Sequence, residues 1–216
     1  MRERRRVPDC RRSAEHGEPV LAGPARRTLG RIDSEPRVVL DLGAGTGSLT
    51  LAAVERWPAA RVLALDASGA MLDVARSRVV EPEDGRVQWL PADAAEIPLD
   101  DAGVDAVASS FMLQLVADRA AVLAEVRRVL RPGGTFSFVT WLAEDLVLPA
   151  DAAYHEILGD IDGDDDGDGL RTPRSGDYHS LDEARAELAD AGFEALEVRR
   201  DELRYAWTAE SYLAFK

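Results

Sequence analysis

The sequence predicts an α/β fold, a Rossmann-like, doubly wound and mostly parallel sheet flanked by helices. Short apolar runs alternate with helical segments of about ten residues, a glycine-rich turn joins the first run to the first helix, and acidic residues stand at the ends of successive runs. With 216 residues, 46% of them hydrophobic, the chain can bury the core of one domain and not of two.

The elements follow in order. Val38-Val39-Leu40-Asp41-Leu42 is an apolar run ended by glycines, the pattern of a buried parallel strand. A helix over Ser48–Glu55 follows and is closed by Trp57-Pro58, and Arg61–Leu65 is the next strand. The alternation continues with a helix Ala70–Arg78, strands Val87–Leu90 and Ala106–Ser109, a helix Ala120–Val129 and a strand Thr135–Val139. Asp118 stands as N-cap of the Ala120 helix, and Pro132-Gly133-Gly134 reads as the turn that ends it.

Regularity lapses after Trp141, which predicts a variable insertion after the fifth strand. It resumes at Ser180, spaced from Glu183 as a capping box for a helix Leu181–Ala191 that Gly192 ends. A strand is expected at Ala195–Val198, a further one at Leu203–Trp207, and a short helix from Thr208 to Phe215. Residues 1–35 read as a basic, flexible leader with a short helix near Pro24–Ile32. Residues 36–216 read as one domain with core motifs at 38–141, an insertion at 142–180 and a C-terminal part at 181–216.

Charge narrows the partners. Residues 1–31 hold nine Arg and four acidic residues, a net of +5, so a total of −14 leaves −19 for the rest. A body that acidic repels phosphate backbones, and no nucleic-acid partner is expected. No run approaches the ~18 apolar residues of a membrane helix and no secretory signal is visible, so neither membrane nor export is expected. The single Cys10 permits no internal disulfide and no cysteine metal site, which fits a cytoplasmic setting.

Asp162, Asp164, Asp166 and Gly167 match the first half of an EF-hand loop, but the twelfth position is Pro173 instead of Glu. The segment 160–168 is therefore expected to be a solvated acidic loop, and no metal is expected.

The segment with chemical content is Asp41-Leu42-Gly43-Ala44-Gly45-Thr46-Gly47, where a strand turns into a helix. Glycines there let a ligand approach the backbone, and the helix start offers N–H groups to an electronegative group. Asp66 ends the second strand, placed to accept from the two hydroxyls of a ribose, and Asp93 and Ser109 lie at later strand ends. Ligands of open α/β sheets sit at those carboxyl ends.

Together with Pro91-Ala92-Asp93-Ala94-Ala95, Asp105 to Phe111, and Leu130-Arg131-Pro132-Gly133-Gly134, this chain resembles the class I S-adenosylmethionine-dependent methyltransferases from about Val38 to Val139. The resemblance implies S-adenosyl-L-methionine as cofactor and S-adenosyl-L-homocysteine as product. It places the methionine part at Asp41, Gly43, Ala44, Gly45 and Gly47, the ribose at Asp66 with Ala67 beside it, and the adenine at Met71, Asp93 and Ala94. Ser109 and Ser110 then face the methyl donor. The insertion at 142–180 corresponds to the substrate lid of related enzymes, and His155 within it is the candidate general base. Trp141, Tyr154 and Tyr178 suit an aromatic or hydroxylated acceptor.

The expected reaction is methyl transfer to a small-molecule acceptor, at a hydroxyl, by a monomer or homodimer. One alternative is an idle cofactor-binding or partner-binding protein on the same fold. A nicotinamide-dependent oxidoreductase is less favoured, because its third fingerprint glycine would fall at Ser48, whereas here it is Gly47.

Overall fold

The computed structural model describes residues 21–79, 85–143 and 176–203. Its element order is α1 (21–29), β1 (Val38–Leu42), α2 (Ser48–Arg56), β2 (Arg61–Asp66), α3 (Gly69–Arg78), β3 (Val87–Pro91), β4 (Val104–Ser110), a single 3-10 turn (Leu113–Leu115), α4 (Arg119–Val129), β5 (Leu130–Val139) and α5 (Leu181–Asp190). The five strands form one parallel sheet in the order β3-β2-β1-β4-β5. The order reverses between β1 and β4, and that switch point opens a crevice at the carboxyl ends of the two strands.

Alternation along the strands divides the core. Val39, Val62, Ala106 and Ala108 face one side and pack with Ala25, Leu29 and Ile32 from α1 and the turn after it, and with Leu49, Ala52, Ala53 and Trp57 of α2 and its end. Ala64 on that side meets Leu72 of α3. Leu40, Leu42, Leu63, Leu65 and Val107 face the other side and pack on Val122, Val126 and Val129 of α4. A strand covered on both faces by helices is apolar throughout, which is why these runs read as continuous apolar sequence.

Caps fix the helix starts as the sequence predicts. Asp118 accepts from the Ala121 N–H at 2.9 Å, and Ser180 accepts from the Glu183 N–H at 3.0 Å. Glu183 closes its half of the cap one residue earlier than a standard capping box, accepting from the His179 N–H at 2.7 Å.

Two expectations need correction. Pro132-Gly133-Gly134 does not separate α4 from a strand beginning at Thr135: β5 begins at Leu130, directly after α4. Val104 pairs with Leu130 and Ala106 with Thr135, so the glycines form a bulge inside the strand, with Gly133 at φ 77°. Asp105 sits opposite the bulge, accepts from the Arg37 and Val38 N–H groups at 2.6 and 2.8 Å and pairs with Arg131. The second correction is Ala195–Val198, which forms no strand; Ala195 adopts φ 52°, incompatible with extended pairing.

Candidate functional site

The site is built on the turn from β1 to α2. Gly43 and Ala44 N–H both donate to Leu65 O at 2.8 Å, which ties the turn to the end of β2. Gly47 donates to Ala44 O at 2.9 Å, and Arg78 of α3 reaches Thr46 O at 2.8 Å. Five of the loop's backbone groups are thus spent on the protein, so recognition of a ligand falls mainly on the carboxylates near it and on the mouth of α2.

The three glycines do different work. A Cβ on Gly43, at φ 78°, would overlap the Cβ and Cγ of Met112, whose side chain fills the space that Gly43 leaves empty. A Cβ on Gly47, at φ 88°, would lie 2.9 Å from Ala75 Cβ, so this glycine lets α3 pack on the start of α2. Gly45, at φ 53°, has open space on its Cβ side, with Gly43 O the nearest atom at 4.0 Å. Of the three, only Gly45 leaves room for an incoming molecule.

Two carboxylates, Asp66 and Asp41, adjoin the turn, and a third, Asp93, stands just past β3 on the far side of β2. Asp66, half-buried at the end of β2, accepts from the Gly45 N–H through Oδ2 and from the Ser68 N–H through Oδ1, both at 2.8 Å. Each oxygen keeps a lone pair, so ribose hydroxyls could be accepted without breaking these bonds. Asp93 is exposed just after β3, with Oδ1 accepting from the Ala95 N–H at 2.9 Å.

Asp41 is 1% exposed, beneath the loop at the end of β1. Thr50 of α2 donates to its Oδ2 at 2.5 Å, and Oδ1 has no partner. Burial, with Asp66 nearby, pushes the Asp41 carboxyl up to about 7 against the pull of Thr50. A buried acceptor without a donor is costly, and one beneath a ligand-binding turn fits a donor supplied by a ligand. S-adenosylmethionine carries an ammonium, a cationic sulfur and a ribose diol, and an orphaned carboxylate beside a second one that can accept hydroxyls fits such a group.

The other expected residues are placed as follows. Ala67 is exposed beside Asp66, Met71 is half-buried in the first turn of α3 and Ala94 is buried after β3. Ser110 is half-buried at the end of β4. Ser109 departs from its expected role: it is fully buried, and its hydroxyl donates to Leu42 O at 2.8 Å, so the side chain ties β4 to β1 and does not face a ligand.

Tyr178 also departs. It is 1% exposed under the Arg119 guanidinium, which lies 4.1 Å from its ring, and it helps bury β5 through Phe138. His16, Tyr154, His155 and the aspartates of 160–168 lie outside the described residues.

Two residues of this site escape a sequence reading. Met112 follows a strand and sits in an apolar stretch, so nothing in the chain marks it as a partner of Gly43, 69 positions earlier. Phe111 has φ 57°, a conformation that sequence would signal with Gly or Asn.

Residues 39–134 match the family model of a methyltransferase domain. Over 213 residues, 95% of this chain, the sequence is 32% identical to the malonyl-[acyl-carrier protein] O-methyltransferase of Geobacter sulfurreducens, covering 76% of that protein. It is 43% identical over 107 residues, 47% of this chain, to the enzyme of the same name from Xylella fastidiosa, covering 34% of it. Four further curated relatives are spanned over about half their length. Among solved structures, a chain of the Haloferax volcanii complex between the Trm112 methyltransferase activator and a methyltransferase superposes with a TM-score of 0.64 at 26% identity. That match covers 85% of this chain and 73% of the other. With the glycine turn, carboxylates at successive strand ends and the 3-2-1-4-5 sheet in one molecule, the chain belongs to the class I S-adenosylmethionine-dependent methyltransferases, and its cofactor is S-adenosylmethionine.

Proposed function

We propose that this protein transfers a methyl group from S-adenosylmethionine to a hydroxyl oxygen of a small-molecule acceptor. The observation that carries the reading is the orphaned, buried Asp41 Oδ1 beneath a glycine turn whose other flank is Asp66. Selectivity for oxygen is supported by the similarity, over 95% of the chain, to a protein named malonyl-[acyl-carrier protein] O-methyltransferase.

The cofactor, when bound, supplies a methyl group already activated by its positive sulfur. The protein's part is then to hold and align. Asp41 meets the ammonium, Asp66 accepts from the ribose hydroxyls and Asp93 from the adenine amine. Gly45 leaves the approach open. The acceptor enters at the carboxyl ends of β4 and β5, and His155 is the proposed base that takes the hydroxyl proton.

The test is turnover of an acceptor panel with methyl-labelled cofactor, products identified by mass spectrometry. Methyl ethers are expected, and methyl esters would instead identify a carboxylate acceptor. Label found only on nitrogen or carbon contradicts hydroxyl selectivity, and cofactor binding with no turnover on any acceptor favours the idle protein. His155→Gln is expected to lower kcat and to remove the acidic limb of its pH profile.

A further inference from the structure

We propose that Arg128 is a positioning residue for the cofactor's adenine: paired with Glu125, it fixes the loop after β3 so that Asp93 stands where it accepts from the adenine amine. The proposal rests on the reading above that Asp93 meets the adenine, and it assigns a role to an ion pair of α4 that bonds to that loop.

Residues 92–103 connect β3 to β4 without a helix or strand of their own. Such a loop takes its shape from what holds it. Asp93 stands at its start, in a tight turn where Asp93 O accepts from the Glu96 N–H at 3.0 Å and Oδ1 from the Ala95 N–H at 2.9 Å. The side chain is short and exposed, and its Oδ1 is bonded within the turn, so the carboxylate goes where the turn backbone puts it.

The turn is fastened on both sides. Before it, the Ala92 N–H donates to Asp66 O at 3.2 Å, which ties it to the residue proposed to hold the ribose. After it, both polar groups of the Ile97 backbone are held by one ion pair: the N–H donates to Glu125 Oε2 and the carbonyl accepts from Arg128 Nη2, each at 2.8 Å. Arg128 and Glu125, neighbours on one face of α4, close the circuit through two bonds of their own at 2.7 and 2.8 Å.

The guanidinium reaches further along the loop. Nη1 donates to Leu99 O at 2.7 Å and to Asp101 Oδ1 at 2.8 Å, while Arg128 O accepts from the Ala102 N–H at 2.9 Å. All five guanidinium N–H groups are thereby used, three of them on residues 97–101. Ala94 and Ile97 are buried in the core that α4 shares, but apolar burial is non-directional and sets only how deep the loop lies. Its orientation falls to the directional bonds. Hydrogen bonding to Arg128 also holds the Glu125 carboxyl below the usual glutamate range, so the pair stays charged at neutral pH.

The test compares S-adenosylhomocysteine with its analogue in which purine replaces adenine, so that the exocyclic amine is missing, by calorimetric titration of the full chain. Wild type is expected to prefer S-adenosylhomocysteine by about tenfold, and Asp93→Ala to lose the preference. Arg128→Met keeps the length and helix propensity of the side chain. It should bind the purine analogue within about twofold of wild type, yet prefer S-adenosylhomocysteine by less than about threefold. Glu125→Gln should also lower the preference, and it carries the test if Arg128→Met does not fold. A preference left intact in Arg128→Met, or in Glu125→Gln where Arg128→Met does not fold, means that the pair serves stability alone and overturns the positioning role. Preference retained by Asp93→Ala, or a wild type indifferent to the amine, would instead overturn the adenine contact. A wild type that does not bind S-adenosylhomocysteine would overturn the cofactor site, and either result takes the positioning role with it.

Discussion

Thr50 donates its hydroxyl to Asp41 Oδ2 at 2.5 Å, across the turn that joins β1 to α2. The bond supplies the buried carboxylate with its side-chain donor and pins the first turn of α2 to the strand below the cofactor site. Thr50→Val keeps the shape and removes the donor. It is expected to cost roughly 1–3 kcal/mol, the usual penalty for orphaning a buried polar group, and chemical denaturation measures it.

With the Asp41 carboxyl pushed up to about 7, the proposed contact with the cofactor's ammonium predicts a cofactor affinity that depends on pH. The anionic form attracts the cofactor's ammonium, so affinity should rise as pH climbs and level off above about 7. One pH unit below that midpoint it should be about tenfold weaker than on the plateau. Asp41→Asn should bind weakly and lose this dependence. Calorimetry from pH 5.5 to 8.5 reads both.

Stability of the free protein moves the opposite way. The folded state keeps a proton on Asp41 that the unfolded chain releases near the ordinary aspartate value of 3.8, so this group's contribution is fully present below that pH. It falls as pH rises toward about 7 and is flat above. Asp41→Asn carries no such titration. Its stability relative to wild type should therefore increase from pH 4 to 7 and then stop changing, in paired thermal melts.

The glycines of the turn separate stability from binding. Gly45→Ala has room for its methyl and pays only for φ 53°, so it should fold with a loss of about 1–2 kcal/mol while obstructing the cofactor. Gly47→Ala, at φ 88°, also places its methyl 2.9 Å from Ala75 and should destabilise more. Melting temperature and cofactor affinity, measured on both variants, distinguish the two effects.

Much of this arrangement is legible in the chain. Strands β1, β2 and β4 are covered on both faces, so their apolar runs are continuous, and the caps Asp118 and Ser180 advertise themselves because capping needs a short oxygen-bearing side chain at one position. What is not legible depends on distant partners. The β5 bulge looks like a turn because proline and glycine serve both, and only the pairing of Leu130 with Val104 decides between them. Ser109 reads as a cleft residue until Leu42 O claims its hydroxyl. Phe111 carries no local sign of its positive φ, since Val139 O, 28 residues on, enforces it.

The central claim is that Asp66, bridging Gly45 and Ser68, holds the cofactor at the carboxyl ends of β1 and β2. Calorimetric titration of wild type and Asp66→Ala with S-adenosylhomocysteine, with NADH as a control, tests it most directly. Saturable wild-type binding, weakened at least about a hundredfold in the variant and absent for NADH, is the predicted result. Equal binding by variant and wild type, or binding of NADH in place of S-adenosylhomocysteine, would contradict it.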